Sequence, residues 1–155
     1  MAISPVLRDY LDREGVQYQT KDHALAYTSR AVAEVEHIPE IEMAKSVILI
    51  ADEELVMAVL PARYMVRLEE LKKEIGCQSI RLATEDEFRE RFQGCDVGAM
   101  FPFGNLWGVS VFCDRTLEQD EEIEFNAGTH TDSVRMRFED FKRLAQPRIG
   151  DFVRG

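Results

Sequence analysis

The sequence predicts an α+β fold with a mixed sheet. Three observations carry that prediction. Helical patterns open the chain, hairpin-like apolar runs dominate its second half, and two of those runs flank a short acidic turn. With 155 residues, 45% hydrophobic and 31% charged, residues 1–155 read as one domain with one sizeable core.

Ser4-Pro5 reads as N-cap and first helical position, with Val6, Leu7, Tyr10 and Leu11 as an apolar stripe and Gly15 as the stop. "VQYQTKDH" alternates loosely and predicts a short strand. From Thr28 or Ser29, "SRAVAEVEHI" predicts a helix with Ala31, Val32 and Val35 inward, ending before Pro39. "SVILIA", "DEE" and "LVMAVLP" form a hairpin of two buried, central strands. "RLEELKKEIG" is a charged helix closed by Gly76. "TEDEFRERFQG" begins with a capping box, Thr84 with Glu87, and runs to Gly94.

Cys95 to Asn105 carries Gly and Pro punctuation without a period and predicts a loop. "LWGVSVFCD" and "EIEFNAG" read as strands. So does "SVRMRF", where Val134, Met136 and Phe138 alternate with Ser133, Arg135 and Arg137. "EDFKRLAQ" is a last short helix, ended by Pro147.

Composition narrows function. No apolar run reaches the length of about 18 residues that a membrane span needs. The opening "MAISPVLRDY" lacks a basic region followed by an apolar one, so no secretory signal is expected. Cys77, Cys95 and Cys113 are scattered and form no CxxC, so neither a disulfide framework nor a thiolate metal site is indicated. A cytoplasmic protein is expected. The net charge of −10 opposes general DNA or RNA binding, which rests on Lys and Arg contacts to phosphates. It leaves room for a pocket that grips one strand end.

Three stretches carry candidate chemistry. Residues 34–54 hold seven acidic residues and one base, Lys45, placed where a loop enters a buried strand. Lys45 there could hold a phosphate or a carbonyl oxygen as a point charge, or its stem could simply cover apolar surface while its head stays wet. "GAMFPFGN" offers Gly98, where backbone N–H groups can meet a carbonyl oxygen on which charge develops, with Pro102 fixing the loop's shape. The other reading is a plain turn with Phe101 and Phe103 as core plugs. In "FNAGTHTDSVRM", His130 follows Gly128 and Thr129 at the mouth of a strand. It could contact a substrate carbonyl or amino group, order a water, or fill a turn.

Other chemistries lack their patterns. His23 and His37 have no partner at helical or strand spacing that would suggest a metal site. There is no Gly-x-Ser-x-Gly elbow, Walker loop or GxGxxG. Cys95 lies near the Gly98 loop, yet a thiolate nucleophile needs a positioned base that the sequence does not show.

Taken together and in order, "MAKSVILI", "GAMFPFGNLWGVSVFCD" and "FNAGTHTDSVRMRFEDF" resemble the YbaK and prolyl-tRNA synthetase associated-domain family, in its free-standing form. The likeness runs from Thr20 to Pro147, and the "YTSRAVAEVEHIP" helix fits it. The resemblance implies a compact domain with a mixed, partly barrel-like sheet surrounded by helices. It implies hydrolysis of the ester joining a wrong amino acid to the terminal adenosine of a tRNA, without a metal or other cofactor. The water is activated largely by the substrate's own ribose hydroxyl.

By the same resemblance, Lys45 faces the tRNA 3′ end, Gly98 lies against the scissile carbonyl, and His130 borders the aminoacyl pocket. Ser46, Val47, Phe101, Pro102, Gly104, Gly128 and Thr129 are the expected substrate-binding residues, with Ser46 and Met100-Phe101 as tuning positions. The implied substrate is a mischarged tRNA, first of all tRNA(Pro) carrying a small non-cognate amino acid, and the implied partners are its acceptor end and prolyl-tRNA synthetase, with neither membrane nor DNA. Two other classes stay open: a non-catalytic module binding an aminoacyl-adenosine, amino acid or related metabolite, and a metal-dependent hydrolase.

Overall fold

A computed structural model describes residues 2–154, so residues 1 and 155 of the expected domain lie outside it. The first helix, α1 (Pro5–Glu14), buries Leu7 and Leu11 and ends at Gly15 in the left-handed region. Ser4 stands at its N-cap without a side-chain cap; its N–H instead donates to Ala127 O at 2.8 Å. Strand β1 (Tyr18–Asp22) leads to α2 (Ser29–Glu36), capped by the Thr28 hydroxyl, which accepts from Ala31 N at 3.1 Å. Val32 and Ala33 are the buried residues of α2. Val35, expected inward, is instead exposed, because the short helix turns that position away from the sheet.

The predicted hairpin is β2 (Ala44–Ala51) with β3 (Glu54–Pro61), paired from Ala44–Pro61 to Ala51–Glu54. Its two-residue turn puts Asp52 and Glu53 at φ 48° and 73°. Asp52 stabilises this unusual turn by accepting from the N–H groups of Gln78 and Ser79. Beyond it come β4 (Met65–Val66), α3 (Leu68–Ile75), β5 (Ile80–Leu82) and α4 (Glu85–Phe88). The capping box of α4 is present, but the helix stops at Phe88, short of Gly94.

Leu106 and Trp107, read as strand, belong to a 3₁₀ turn, and the strand itself is β6 (Ser110–Asp114). It is followed by β7 (Glu122–Asn126), β8 (Asp132–Arg137), α5 (Phe138–Ala145), β9 (Arg148–Gly150) and β10 (Val153–Arg154). Phe138 opens α5 rather than ending β8.

The five-stranded sheet has the order β5-β2-β3-β6-β9, with β3, β6 and β9 parallel and β5, β2 and β3 antiparallel. That is the predicted mixed sheet. A three-stranded antiparallel sheet, β1-β8-β7, and the small β10-β4 pair complete the fold. The two larger sheets share the main core, and among the described residues their backbones join at one seam, where Met43 bridges Glu124 in parallel and Glu124 N donates to Glu42 O at 3.0 Å. This gives the partly barrel-like form without full closure.

Around the seam sits a network of charge. Glu124, fully buried, accepts from Lys21 Nζ and Ser133 Oγ, both at 2.9 Å. Arg135 reaches Glu42 at 2.6 Å, Glu122 at 3.2 Å and Glu124 at 3.8 Å. Removing one member of such a set leaves a buried charge uncompensated. Arg135→Met is expected to cost about 2 kcal/mol in urea unfolding, less than for an isolated buried pair because Lys21 still faces Glu124.

Asp120 adjoins this network with a buried, unpartnered Oδ2. Burial, with Glu42 adding, raises its carboxyl to about 6, against the opposing pull of Arg135. A raised carboxyl disfavours the ionised form in the fold, so the penalty is absent below the ordinary 3.8 and complete above about 6. Asp120→Asn is therefore expected to stabilise by about 1 kcal/mol at pH 8 after solvent screening. In thermal melts that gain should vanish toward pH 4.

Candidate functional site

Two loops meet at the end of the three-stranded sheet. The β7–β8 connection is a tight turn, Ala127 N donating to Asp132 O at 3.0 Å, with Gly128 at φ +95°. A Cβ on Gly128 would lie 2.7 Å from Ser4 Cβ, so glycine is required there by packing against the start of α1. Thr129 Oγ1 donates to Asp132 Oδ2 at 2.6 Å and accepts from Thr131 N at 3.3 Å, which spends its hydroxyl on the turn. The second loop is tied to the first by Asp96 N to Gly128 O at 2.7 Å and Gly128 N to Ala99 O at 3.0 Å.

These ties bring Gly98 to His130. Gly98 has φ +86°, and a Cβ built on it would lie 3.5 Å from His130 Cε1. The backbone at Gly98 therefore faces the edge of the imidazole with no side chain between. His130 Nε2 lies 3.1 Å from Val97 O. A carbonyl only accepts, so Nε2 carries the proton in this contact, and in the neutral ring Nδ1 is left as an acceptor. Nδ1 is buried and has no partner among the described residues. The ring of Tyr27 lies over His130 at 4.9 Å, although Tyr27 itself is 66% exposed.

Lys45 is placed differently. It leaves β2 half-buried, and its Nζ is 3.5 Å from Ala62 O, a long hydrogen bond. Burial, aided by Arg30, lowers its pKa from the ordinary value of 10.5. Lys45 lines two cavities at once. One, of about 560 Å³, is polar and is walled by Thr28, Arg30, Glu34 and Glu40. The other, of about 650 Å³, is apolar and includes Val47, Met65, Val66 and Leu82. No hydrogen bond or ion pair among the described residues joins Lys45 to the Gly98–His130 pair.

The link between them is the start of α2. Ala26 N donates to His130 O at 3.2 Å and Tyr27 covers the ring, while Thr28 to Ala31 form a wall of the polar cavity holding Lys45. Neither Tyr27 nor Arg30 is among the site residues expected from the sequence. An exposed aromatic just before a helix cap was the available signal for Tyr27. Arg30 is paired with Glu40 at 3.1 Å.

Several expected pocket residues lie elsewhere. Phe101 is fully buried and stacks on Trp107 at 4.8 Å and 26°, so it plugs the main core rather than lining an open wall. Phe103 does the same between Tyr10, Phe125 and Phe141. Pro102 is buried between them. Gly104 is a packing glycine, since a Cβ there would meet Val109 O at 3.0 Å and Val111 Cγ2 at 3.1 Å. Ser46 projects to the face of β2 opposite Lys45, where its hydroxyl is buried without a partner. Val47 shares the apolar groove with Lys45.

Burial pushes the Cys95 thiol up to about 12, which removes its thiolate at neutral pH. Burial likewise raises Cys113. Native-state alkylation at pH 8 is expected to label Cys77 first and leave Cys95 and Cys113 slow, as peptide mapping by mass spectrometry would show.

Comparison with known proteins adds the following. A family model described as an aminoacyl-tRNA editing domain matches residues 23–144. The chain is 30% identical over 149 residues to the multifunctional Ser/Thr-tRNA deacylase ProXp-y of Escherichia coli K12, covering 93% of this chain and 89% of that protein. It is 32% identical over 107 residues to the proline–tRNA ligase of Halalkalibacterium halodurans, covering 69% of this chain and 18% of the ligase. A solved structure described as a proposed trans-editing enzyme for prolyl-tRNA synthetase superposes with a TM-score of 0.86 at 18% identity, covering 99% of this chain and all of that one.

Proposed function

The chain belongs to the aminoacyl-tRNA editing domain family, hydrolases of the aminoacyl-tRNA ester bond, and from that premise we propose that it acts in trans on mischarged tRNA. The proposed substrate is tRNA(Pro) carrying a small non-cognate amino acid, with residues 1–155 as one editing unit. Serine and threonine are favoured among the small amino acids, because the relative from Escherichia coli is a Ser/Thr-tRNA deacylase. Prolyl-tRNA synthetase is the proposed partner and the cytoplasm the proposed location. No helix among the described residues is long and apolar enough to cross a membrane.

The observation that carries the reading is the contact between Gly98 and His130. It sets a glycine-only backbone conformation beside a histidine with a free acceptor. The ester carbonyl lies against Gly98, whose N–H can stabilise the charge that develops on its oxygen. His130 borders the aminoacyl moiety and orients it. Gly128 and Thr129 hold the turn that presents the ring, and Pro102 fixes the far end of the Gly98 loop. Val47 lies on the same face of β2 as Lys45, Ser46 acts only from behind that face, and Lys45 takes a phosphate of the 3′ end.

Water attacks the ester carbon, and the bond from that carbon to the ribose oxygen breaks. The leaving oxygen takes up a proton, and the amino acid departs as its carboxylate. The neighbouring ribose hydroxyl orders the water and relays its proton. An aminoacyl ester is already activated, so positioning and oxyanion stabilisation suffice without a protein nucleophile.

Incubation with a panel of mischarged tRNAs tests the reading. Release of a small amino acid from tRNA(Pro) well above the spontaneous rate is expected, and no release from any member of the panel would sink it. Lys45→Ala is expected to raise KM roughly tenfold to a hundredfold through loss of a charge-assisted phosphate contact, with folding intact by circular dichroism. Because Lys45 binds phosphate only when charged and its pKa is lowered, affinity for uncharged tRNA should begin to fall at lower pH than an ordinary lysine would give.

A further inference from the structure

The apolar groove beyond Lys45 is unlike the rest of this surface. The chain carries a net charge of −10, yet the groove's charged residues are Lys45, Arg67 and Arg154 against one acid, Glu69. Most cations of this protein are bound to carboxylates: Lys21, Arg30, Arg81, Arg115 and Arg135 all pair at 3.3 Å or less. Lys45 and Arg154 have no ion pair among the described residues, and Arg67 has only a long one, 3.8 Å to Glu70. Arg63, also without an ion pair there, stands on the turn beside Ala62, whose carbonyl faces Lys45. Lys72, Arg91, Arg137 and Arg148 also lack an ion pair among the described residues, so what distinguishes the groove is its local balance of three cations against one acid on an acidic chain.

The groove's floor is equally specific. Met65 and Leu82 are each 57% exposed, large apolar side chains left uncovered beside the positive groups. Val47, Val66 and Leu68 continue that floor. Its volume of about 650 Å³ lies within the range of about 300–1,000 Å³ typical of small-ligand sites, enough for a nucleotide or two. Single-strand recognition joins a positively charged groove for phosphates to side chains on which bases pack, usually aromatic; here that packing surface is aliphatic. Residues 153 and 154 reach the groove because β10 pairs with β4, setting Arg154 opposite Met65.

We propose that this groove, with Arg67 and Arg154 as its phosphate contacts and Met65 and Leu82 as its base-packing floor, takes the single-stranded 3′ end of an RNA just upstream of the terminal nucleotide. The inference rests on the function proposed above. Lys45 belongs both to this groove and to the polar cavity whose wall leads to Tyr27 and His130. A strand whose last nucleotide lies toward His130 and whose next phosphate meets Lys45 continues into the groove. The overall acidity then repels the tRNA body while the end alone is held.

The double variant Arg67→Ala/Arg154→Ala tests this. Neither residue belongs to the proposed catalytic centre, and both side chains are exposed, so the fold should persist. Affinity for an uncharged single-stranded RNA ending in CCA, read by fluorescence anisotropy, should fall about tenfold. The slope of log affinity against log salt should shrink by about 1.4. On charged tRNA the variant should raise KM and leave kcat unchanged, while hydrolysis of an aminoacyl-adenosine too short to enter the groove stays at the wild-type rate. Wild-type oligonucleotide affinity and salt slope in the double variant would overturn the groove assignment, whatever the deacylation result. Failure of the wild-type protein to deacylate any charged tRNA would overturn the function proposed above, and the oligonucleotide measurement would still decide the groove.

Discussion

The seam between β2 and β7 is the constraint on which the site depends. Glu42 and Met43 are fastened to Glu124 by a backbone hydrogen bond and a parallel bridge. Lys45 follows Met43 by two residues along β2, and His130 follows Glu124 by six, in the turn just beyond β7. The seam therefore sets the register between two groups drawn from different sheets. Its backbone contact is brief, so the side chains reinforce it: Arg135 spans Glu42, Glu122 and Glu124 across the joint, and Lys21 closes it from β1. A buried ionic set is a costly way to gain stability but a good way to specify one register, because a slipped pairing would leave the Glu124 charge alone.

The same seam explains why the sheets do not close. Sequence resemblance implied a partly barrel-like sheet, and the structure has two sheets that share one hydrophobic core and, among the described residues, are joined through the backbone at one bridge. A longer β2–β7 ladder would bury the start of β2 and with it Lys45. Ending the ladder at Met43 leaves the next residues half-open to cavities on either side.

Most long elements were legible because a single periodic pattern or cap decided them. The hairpin around Asp52 and Glu53, the Thr28 cap and the Gly15 stop each follow from local chemistry. The misses are tertiary. β4, β5, β9 and β10 are two or three residues long, and their pairing partners lie far away in sequence, so no local period marks them. Phe138 continued the alternation of β8, yet the acidic first turn of α5 captured it, with Phe138 N donating to Glu121 O. Of the candidate site, resemblance set Gly98 and His130 around one substrate without predicting their direct contact, and the local pattern left Phe101 open between core plug and pocket wall. A phenylalanine beside a functional glycine reads the same in sequence whether it faces a ligand or, as here, Trp107. Arg154 carried no signal at all, because its importance comes only from the pairing of β10 with β4.

The placement of charge also separates what this protein does from how strongly it needs to hold its substrate. An acidic surface weakens every nonspecific encounter with RNA, and the groove beyond Lys45, with three cations against one acid, is a local exception to it. Under the proposed function, reading only a strand end would keep affinity modest and exchange rapid, which suits an enzyme that samples many charged tRNAs. Discrimination would then rest on whether the aminoacyl group fits beside His130, and a small pocket excludes larger side chains far better than it rejects smaller ones. The absence of a reactive thiolate at Cys95 fits that logic: a permanently activated nucleophile near Gly98 would attack correct esters that strayed within reach. Chemistry that waits for a well-seated substrate turns fit itself into the proofreading step.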